Sequence, residues 1–162
     1  MKTQIMIILS ALIFCNSQLS AQDKDSVISL PEISITGSTK VSNVLNNAFV
    51  KTFPDAENVR WYKLSKDYLA KFIKKDMDHN ALFKKNGVLK YDISFGYEQN
   101  LPADIRNLVQ TSYSDFKITR AINVKEGGRN IWVINLDGIN NYVIVRVEDQ
   151  ELEEVQRFKR SE

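Results

Sequence analysis

Residues 81–95, ALFKKNGVLKYDISF, decide the fold. Two short alternating runs flank Asn86-Gly87, a strong hairpin-turn dipeptide. A hairpin means antiparallel strands. Ala81-Leu82-Phe83 forms one arm. Leu89, Tyr91, Ile93 and Phe95 recur every second residue in the other and are expected to share one face.

Upstream, Tyr68-Leu69-Ala70-Lys71-Phe72 alternates with Tyr68, Ala70 and Phe72 on one side, and Val59-Arg60-Trp61-Tyr62 reads as a further strand. Asp76 to Asn80 reads as an exposed connection. Its Asp76-x-Asp78-x-Asn80 spacing opens like a calcium loop, but Ala81 stands where such a loop needs Gly, and Gly87 where it needs Glu. Before these strands, Ser42 is a suitable N-cap for a helix. Val44, Leu45, Ala48, Phe49 and Phe53 give that helix one apolar stripe, and Pro54 stops it.

The same order then recurs. Pro102 suits a first helical position. Ile105, Leu108, Val109 and Tyr113 form the stripe. Ile118 to Val124 is a strand with Ile118, Ile122 and Val124 on one side, followed by the turn Gly127-Gly128. Trp132, Ile134 and Leu136 alternate, Asp137-Gly138 turns the chain, and Tyr142 to Val147 follows. Residues 152–158 fit a helix about as well as a bulged strand, and the parallel with the first copy favours the strand. The copies run from Val44 to Phe95 and from Ile105 to Phe158. Two tandem α-β-β-β(-β) repeats should merge into one antiparallel sheet with both helices on one face, an α+β fold. The other face is left open to solvent or a partner.

Phe53-Pro54-Asp55-Ala56, Val59-Arg60-Trp61-Tyr62, Tyr68-x-Ala70-x-Phe72, Ala81-x-Phe83 and Asn86-Gly87 together resemble the PepSY-like family of exported bacterial proteins, which is similar to beta-lactamase inhibitor proteins. In the second copy Leu101-Pro102-x-x-Ile105 and Trp132-x-Ile134-x-Leu136 carry the pattern. The proline after the helix is missing there, and Ala121 or Ile122 stands where Trp is expected. The resemblance covers residues 44–158. It implies a helix-backed sheet, a surface suited to binding protein or peptide, and no catalytic residues.

The N-terminus reads as an export signal. Lys2 precedes the apolar run Ile5–Phe14, and Leu19-Ser20-Ala21 offers a small residue for cleavage before Gln22. The run is too short for a membrane span. Cys15, the only cysteine, lies within this segment behind the bulky Phe14, which disfavours lipid attachment. The expected organisation is a signal peptide (1–21), a linker or edge strand (22–40), and one domain (41–160) with repeats 41–98 and 99–160. Val27, Ile28, Ile33 and Ile35 supply the edge strand, and Pro31 would confine it to an edge. Asp25-Ser26-Val27 resembles a short acceptor triplet for bacterial O-glycosylation.

Removing residues 1–21 takes away one Lys and no acid, leaving 21 basic and 20 acidic side chains. That balance points away from nucleic acid, which needs a concentrated basic face. The basic run Arg157-Phe158-Lys159-Arg160 sits among Glu151, Glu153, Glu154 and Glu162 and reads as a solvated end. His79 is the only histidine, so a multi-histidine metal site is excluded. Ser114-x-x-Lys117 has the spacing of a serine–lysine pair but no accompanying motif. The expectation is a non-catalytic exported module, periplasmic or secreted. It should have no cofactor, no metal, no nucleic-acid partner and no membrane span after cleavage, and should take a protein or peptide on the open sheet face. The alternatives are a passive structural or accessory envelope protein and, third, a small hydrolase using Ser114 and Lys117. Alternation puts Trp61 and Tyr62 on opposite faces, with Arg60 beside Tyr62. Arg60, Tyr62, Trp61 and Trp132 are the candidate binding residues, because interfaces favour aromatics and arginine.

Overall fold

The computed structural model describes residues 39–160. The expected signal peptide, Cys15, the triplet 25–27 and the expected edge-strand residues Val27, Ile28, Ile33 and Ile35 lie outside them. Helix α1 (Asn43–Thr52) begins where the sequence places it: the Ser42 hydroxyl accepts the Leu45 N–H at 3.3 Å. Leu45 and Phe49 face the sheet, with Phe53 just past the helix, while Val44 stands exposed at the stripe's margin. Helix α2 (Ala103–Ser112) buries Ile105 and Val109. Pro102 is its N-cap, one residue outside the helix rather than its first residue.

Eight strands follow in chain order: β1 (Glu57–Leu64), β2 (Asp67–Lys74), β3 (Met77–Lys84), β4 (Leu89–Gly96), β5 (Lys117–Glu126), β6 (Arg129–Asp137), β7 (Asn141–Glu148) and β8 (Glu151–Lys159). They form one antiparallel sheet in which each strand pairs with the next, and α2 is inserted between β4 and β5. This is the α+β arrangement of two α-β-β-β-β halves. Residues 151–159 form a strand, with a bulge opposite Ile144-Val145.

Each helix covers its own core. Under α1 the core is aromatic: Phe49, Phe53, Trp61, Phe72 and Phe83 pack together, and the facing pair Ala70 and Ala81 leaves room for them. Under α2 it is aliphatic, built on Val109, Ile134, Leu136, Val143, Val145 and Val147. The far edge is tied to α2 by Tyr113, whose hydroxyl donates to Glu154 at 2.9 Å. Desolvation, then the bond to Glu154, pushes the Tyr113 phenol up. Hydrogen bonds from Arg157, then Tyr113, hold the Glu154 carboxyl below the usual range.

Three strand readings change. Asp76–Asn80 is not a connection: Lys75 and Asp76, both at positive φ, make the whole turn, and Met77–Asn80 lie inside β3. A two-residue turn closed by lysine and aspartate has no glycine to announce it. Leu89 does not share a face with Tyr91, Ile93 and Phe95. A bulge between Phe83↔Leu89 and Leu82↔Tyr91 shifts the phase, so Leu89 packs against the aromatic core while the other three face away. A second bulge between Ile118 and Arg120 likewise leaves Ile118 in the core and turns Ile122 and Val124 to the open face. An extra residue reverses the inside–outside alternation beyond it.

The Asn86-Gly87 turn sits under α1. Gly87 has φ +84°, and a Cβ there would lie 2.8 Å from the Ala48 Cβ. Gly127 has φ +58° with nothing within 4 Å. Gly127→Ala should therefore cost only the left-handed penalty of about 1–2 kcal/mol. Gly87→Ala adds a clash with helix backbone-bound atoms, worth roughly 1–3 kcal/mol more. Urea unfolding of the two variants checks this; equal losses would mean that the turn does not bear on α1.

Candidate functional site

The open face is assembled by the pairing register. Arg60 on β1 faces Lys71 on β2, which faces Asn80 on β3. Tyr62 lies beside them, and the Lys71 ammonium sits 5.6 Å from its ring centroid. With Asn58, Ile73 and Asp78 these residues line a groove of about 550 Å³. Asn58 stands at positive φ in a bulge that breaks the β1–β2 pairing between Glu57 and Arg60.

Of the four candidate residues, the structure brings together Arg60 and Tyr62. Trp61 and Trp132 lie on the helix side, 7% and 6% exposed, one in each core. Of the adjacent pair Trp61 and Tyr62, it is therefore Tyr62 that turns away from the helices. Ser114 and Lys117 are not joined: the Ser114 hydroxyl contacts Asp115 at 3.5 Å, and Lys117 lies on β5 beside Tyr97 and Glu98.

Beyond the groove the face is apolar. The two bulges place Tyr91, Ile93, Phe95, Ile122 and Val124 side by side across β4 and β5, all half-buried. Ile131 and Val133 carry the band onto β6. Plain alternation groups Tyr91, Ile93 and Phe95 with Leu89, and Ile122 and Val124 with Ile118; the bulges leave only Leu89 and Ile118 on the core side.

The charges are divided unevenly. On β6 to β8 they are paired: Arg129 forks onto Glu148 at 2.7 Å, Arg146 meets Glu153 at 2.8 Å, and Arg160 meets Asp137 at 2.6 Å. The hydrogen bonds from Arg129 hold the Glu148 carboxyl below the usual range. Such exposed pairs contribute little to stability. Arg60 and Lys71 make no ion pair among the described residues. The groove thus holds two cations, Arg60 and Lys71, and one carboxylate, Asp78, next to the apolar band.

Among solved structures, the chain is similar to a BLIP-like protein from Bacteroides fragilis, at 14% identity and TM-score 0.56, covering 78% of this chain and 94% of that one. It is also similar to DUF2874 family proteins from Bacteroides uniformis (14%, TM-score 0.53, covering 74% and 90%) and Bacteroides ovatus (17%, TM-score 0.54, covering 72% and 89%). At these identities the likeness shows the fold: a BLIP-like, helix-backed sheet spanning nearly the whole of each neighbour. No family model and no curated protein matches the sequence.

Proposed function

We propose that this chain is an exported, non-catalytic binding module that takes a folded protein on its open sheet face. Export rests on the signal-like segment at residues 1–21. The binding reading is carried by one observation: Arg60 and Lys71, which form no ion pair among the described residues, border with Tyr62 a half-buried apolar band across the middle of a sheet face that no described element covers. Aromatics and arginine beside apolar surface are the composition of interface centres. The BLIP-like architecture of the neighbours is in keeping with this reading.

Size favours a folded partner over a peptide. Eight strands spaced about 4.8 Å apart and rising about 3.4 Å per residue give a face on the order of 900 Å². That matches the roughly 800 Å² per side of a standard protein–protein interface. A peptide strand would cover only a fraction of it.

The test is differential capture from an envelope extract, using the native chain, Arg60→Glu, Tyr62→Ala, and Val44→Ser on the exposed flank of α1 as a control. A partner held by the native chain and the control, and weakened about tenfold or more by either face variant, is the expected result. Retention of the same partner by all four proteins would rule the face out. Recovery of nothing by any of them would favour the passive structural reading.

A further inference from the structure

On the opposite side of the sheet the two helices stand over separate cores, and the strip between them is polar. Asp92 and Ser94 of β4 and Asn123 of β5 point to the helix side and are 4%, 3% and 5% exposed. They floor a cleft of about 270 Å³ that lies between the end of α1 and β6. Buried polar groups ordinarily have partners. Asp92 has one: His79 Nδ1 lies 3.0 and 3.1 Å from its two oxygens. The Asn123 amide nitrogen donates to Asn130 Oδ1 at 2.8 Å and to the Ile131 carbonyl at 3.1 Å. The Ser94 hydroxyl and the Asn123 side-chain oxygen make no side-chain hydrogen bond among the described residues, and both residues line the cleft.

The rest of the lining selects a ligand. Lys75 and Lys125 stand at the cleft, whereas the Lys74 ammonium is engaged by the Pro54 carbonyl at 2.6 Å. Asp92 is the only carboxylate among the lining residues, and His79 already holds it. The cleft is therefore net positive. One wall is apolar, made by Phe53, Met77 and Trp132. We propose that this cleft beside the end of α1 is a second binding site, for a small organic carboxylate. Its charged head would meet Lys125, Lys75 and the Ser94 hydroxyl, and its apolar body would lie against Trp132 and Met77.

The alternatives fit less of this lining. A cation is opposed by the lysines. An inorganic anion leaves the Trp132 wall uncovered, and a purely apolar ligand offers nothing to the Ser94 hydroxyl or the Asn123 side-chain oxygen. The volume lies just below the roughly 300–1,000 Å³ of sites for drug-sized ligands, so the ligand is small. The proposal is independent of the open-face reading, since the cleft is on the other side of the sheet.

The full-length chain is titrated with 3-phenylpropionate and followed by amide and indole proton–nitrogen NMR, with 3-phenylpropanol and sulfate as controls. The expected result is saturable shifts at the Trp132 indole N–H, Ser94 and Asn123 for the acid, with the alcohol about tenfold weaker. Lys125→Gln, an exposed change that leaves the fold intact, and Ser94→Ala should each weaken the acid about fivefold. The Lys125→Gln thermal midpoint should stay where it was. Equal binding of acid and alcohol, shifts at Arg60 and Tyr62 instead of the cleft, or a cleft silent to the acid would each overturn the proposal.

Discussion

Phe49→Ala should cost about 3–5 kcal/mol, the range for truncating a buried Phe, and more toward its upper end. Phe49 is 3% exposed and is the one α1 side chain that touches four other aromatic rings. Its centroid lies 5.0 Å from Phe72 and 5.3 Å from Trp61, both edge-on, and 5.6 and 6.1 Å from Phe53 and Phe83. Edge-to-face pairs add about 0.5–1.5 kcal/mol each beyond area. The site is also unable to collapse into the hole. Its floor is Phe72 and Phe83 on paired strands, and α1 is pinned by the Ser42 cap at one end and by the Phe53 N–H to Phe49 carbonyl bond at the other. With total stability in the usual range of about 5–15 kcal/mol, the loss is a large share of the whole. A midpoint drop on the order of 12–20 °C follows for a domain of this size.

The same variant tests whether the halves fold together. The aromatic and aliphatic cores are separate clusters, but β4 and β5 share a six-pair ladder between them. A single cooperative urea transition with an unchanged slope is expected, since a ladder at the middle of a sheet cannot be exposed on one side without losing the other. A cost below about 1.5 kcal/mol would mean that the cluster repacks. Two resolved transitions would mean that the halves are independent domains.

The parts legible in the sequence are those fixed by local chemistry. Ser42, Pro54, Asn86-Gly87 and Gly127-Gly128 mark their elements because caps, helix stops and positive-φ turns select residue types on the spot. The paired order of elements, and with it the helix-backed sheet, follows from them. Turns closed at positive φ by Lys75-Asp76 or Asp149-Gln150 left no such mark. The faces of β4 and β5 were also illegible, for a different reason. Their bulges depend on how a strand sits against its neighbour, which is a pairing property and has no local code.

That difference shaped the reading of the site. Arg60 and Tyr62 were recoverable because β1 keeps its phase from Arg60 onward, so plain alternation put them together. Ile93, Phe95, Ile122 and Val124 have the composition of a core face and lie on the open one, while Asp92, Ser94 and Asn123 have the composition of a solvent face and lie under the helices. Reading polarity alone inverts the two central strands. The inversion is also what makes them informative. An apolar row facing outward and a polar row facing inward both run against the stability of the isolated fold, and positions that do so are where function is expected.

His79 and Asp92 are the most consequential of the inward polar groups, and removing either alone should be costly. Their side chains are 11% and 5% exposed, and His79 also stacks on Phe72 with centroids 4.8 Å apart and planes 15° from parallel. Asp92→Ala leaves the His79 ring nitrogen facing a vacated space, and His79→Phe keeps the stack but strands a buried carboxylate. A hydrogen bond to a charged group is worth about 1.5–3 kcal/mol, and an orphaned buried partner adds its desolvation. Each single variant is therefore expected to lose about 2–3 kcal/mol in urea unfolding. The double variant His79→Phe with Asp92→Ala removes both polar partners and keeps the aromatic stack. Replacing both members of a buried pair is far less costly than orphaning one, so most of the single loss should return, with a coupling of about 1.5 kcal/mol or more. Additive losses in the cycle would show that His79 and Asp92 are each solvated separately from the cleft and that the contact between them contributes nothing.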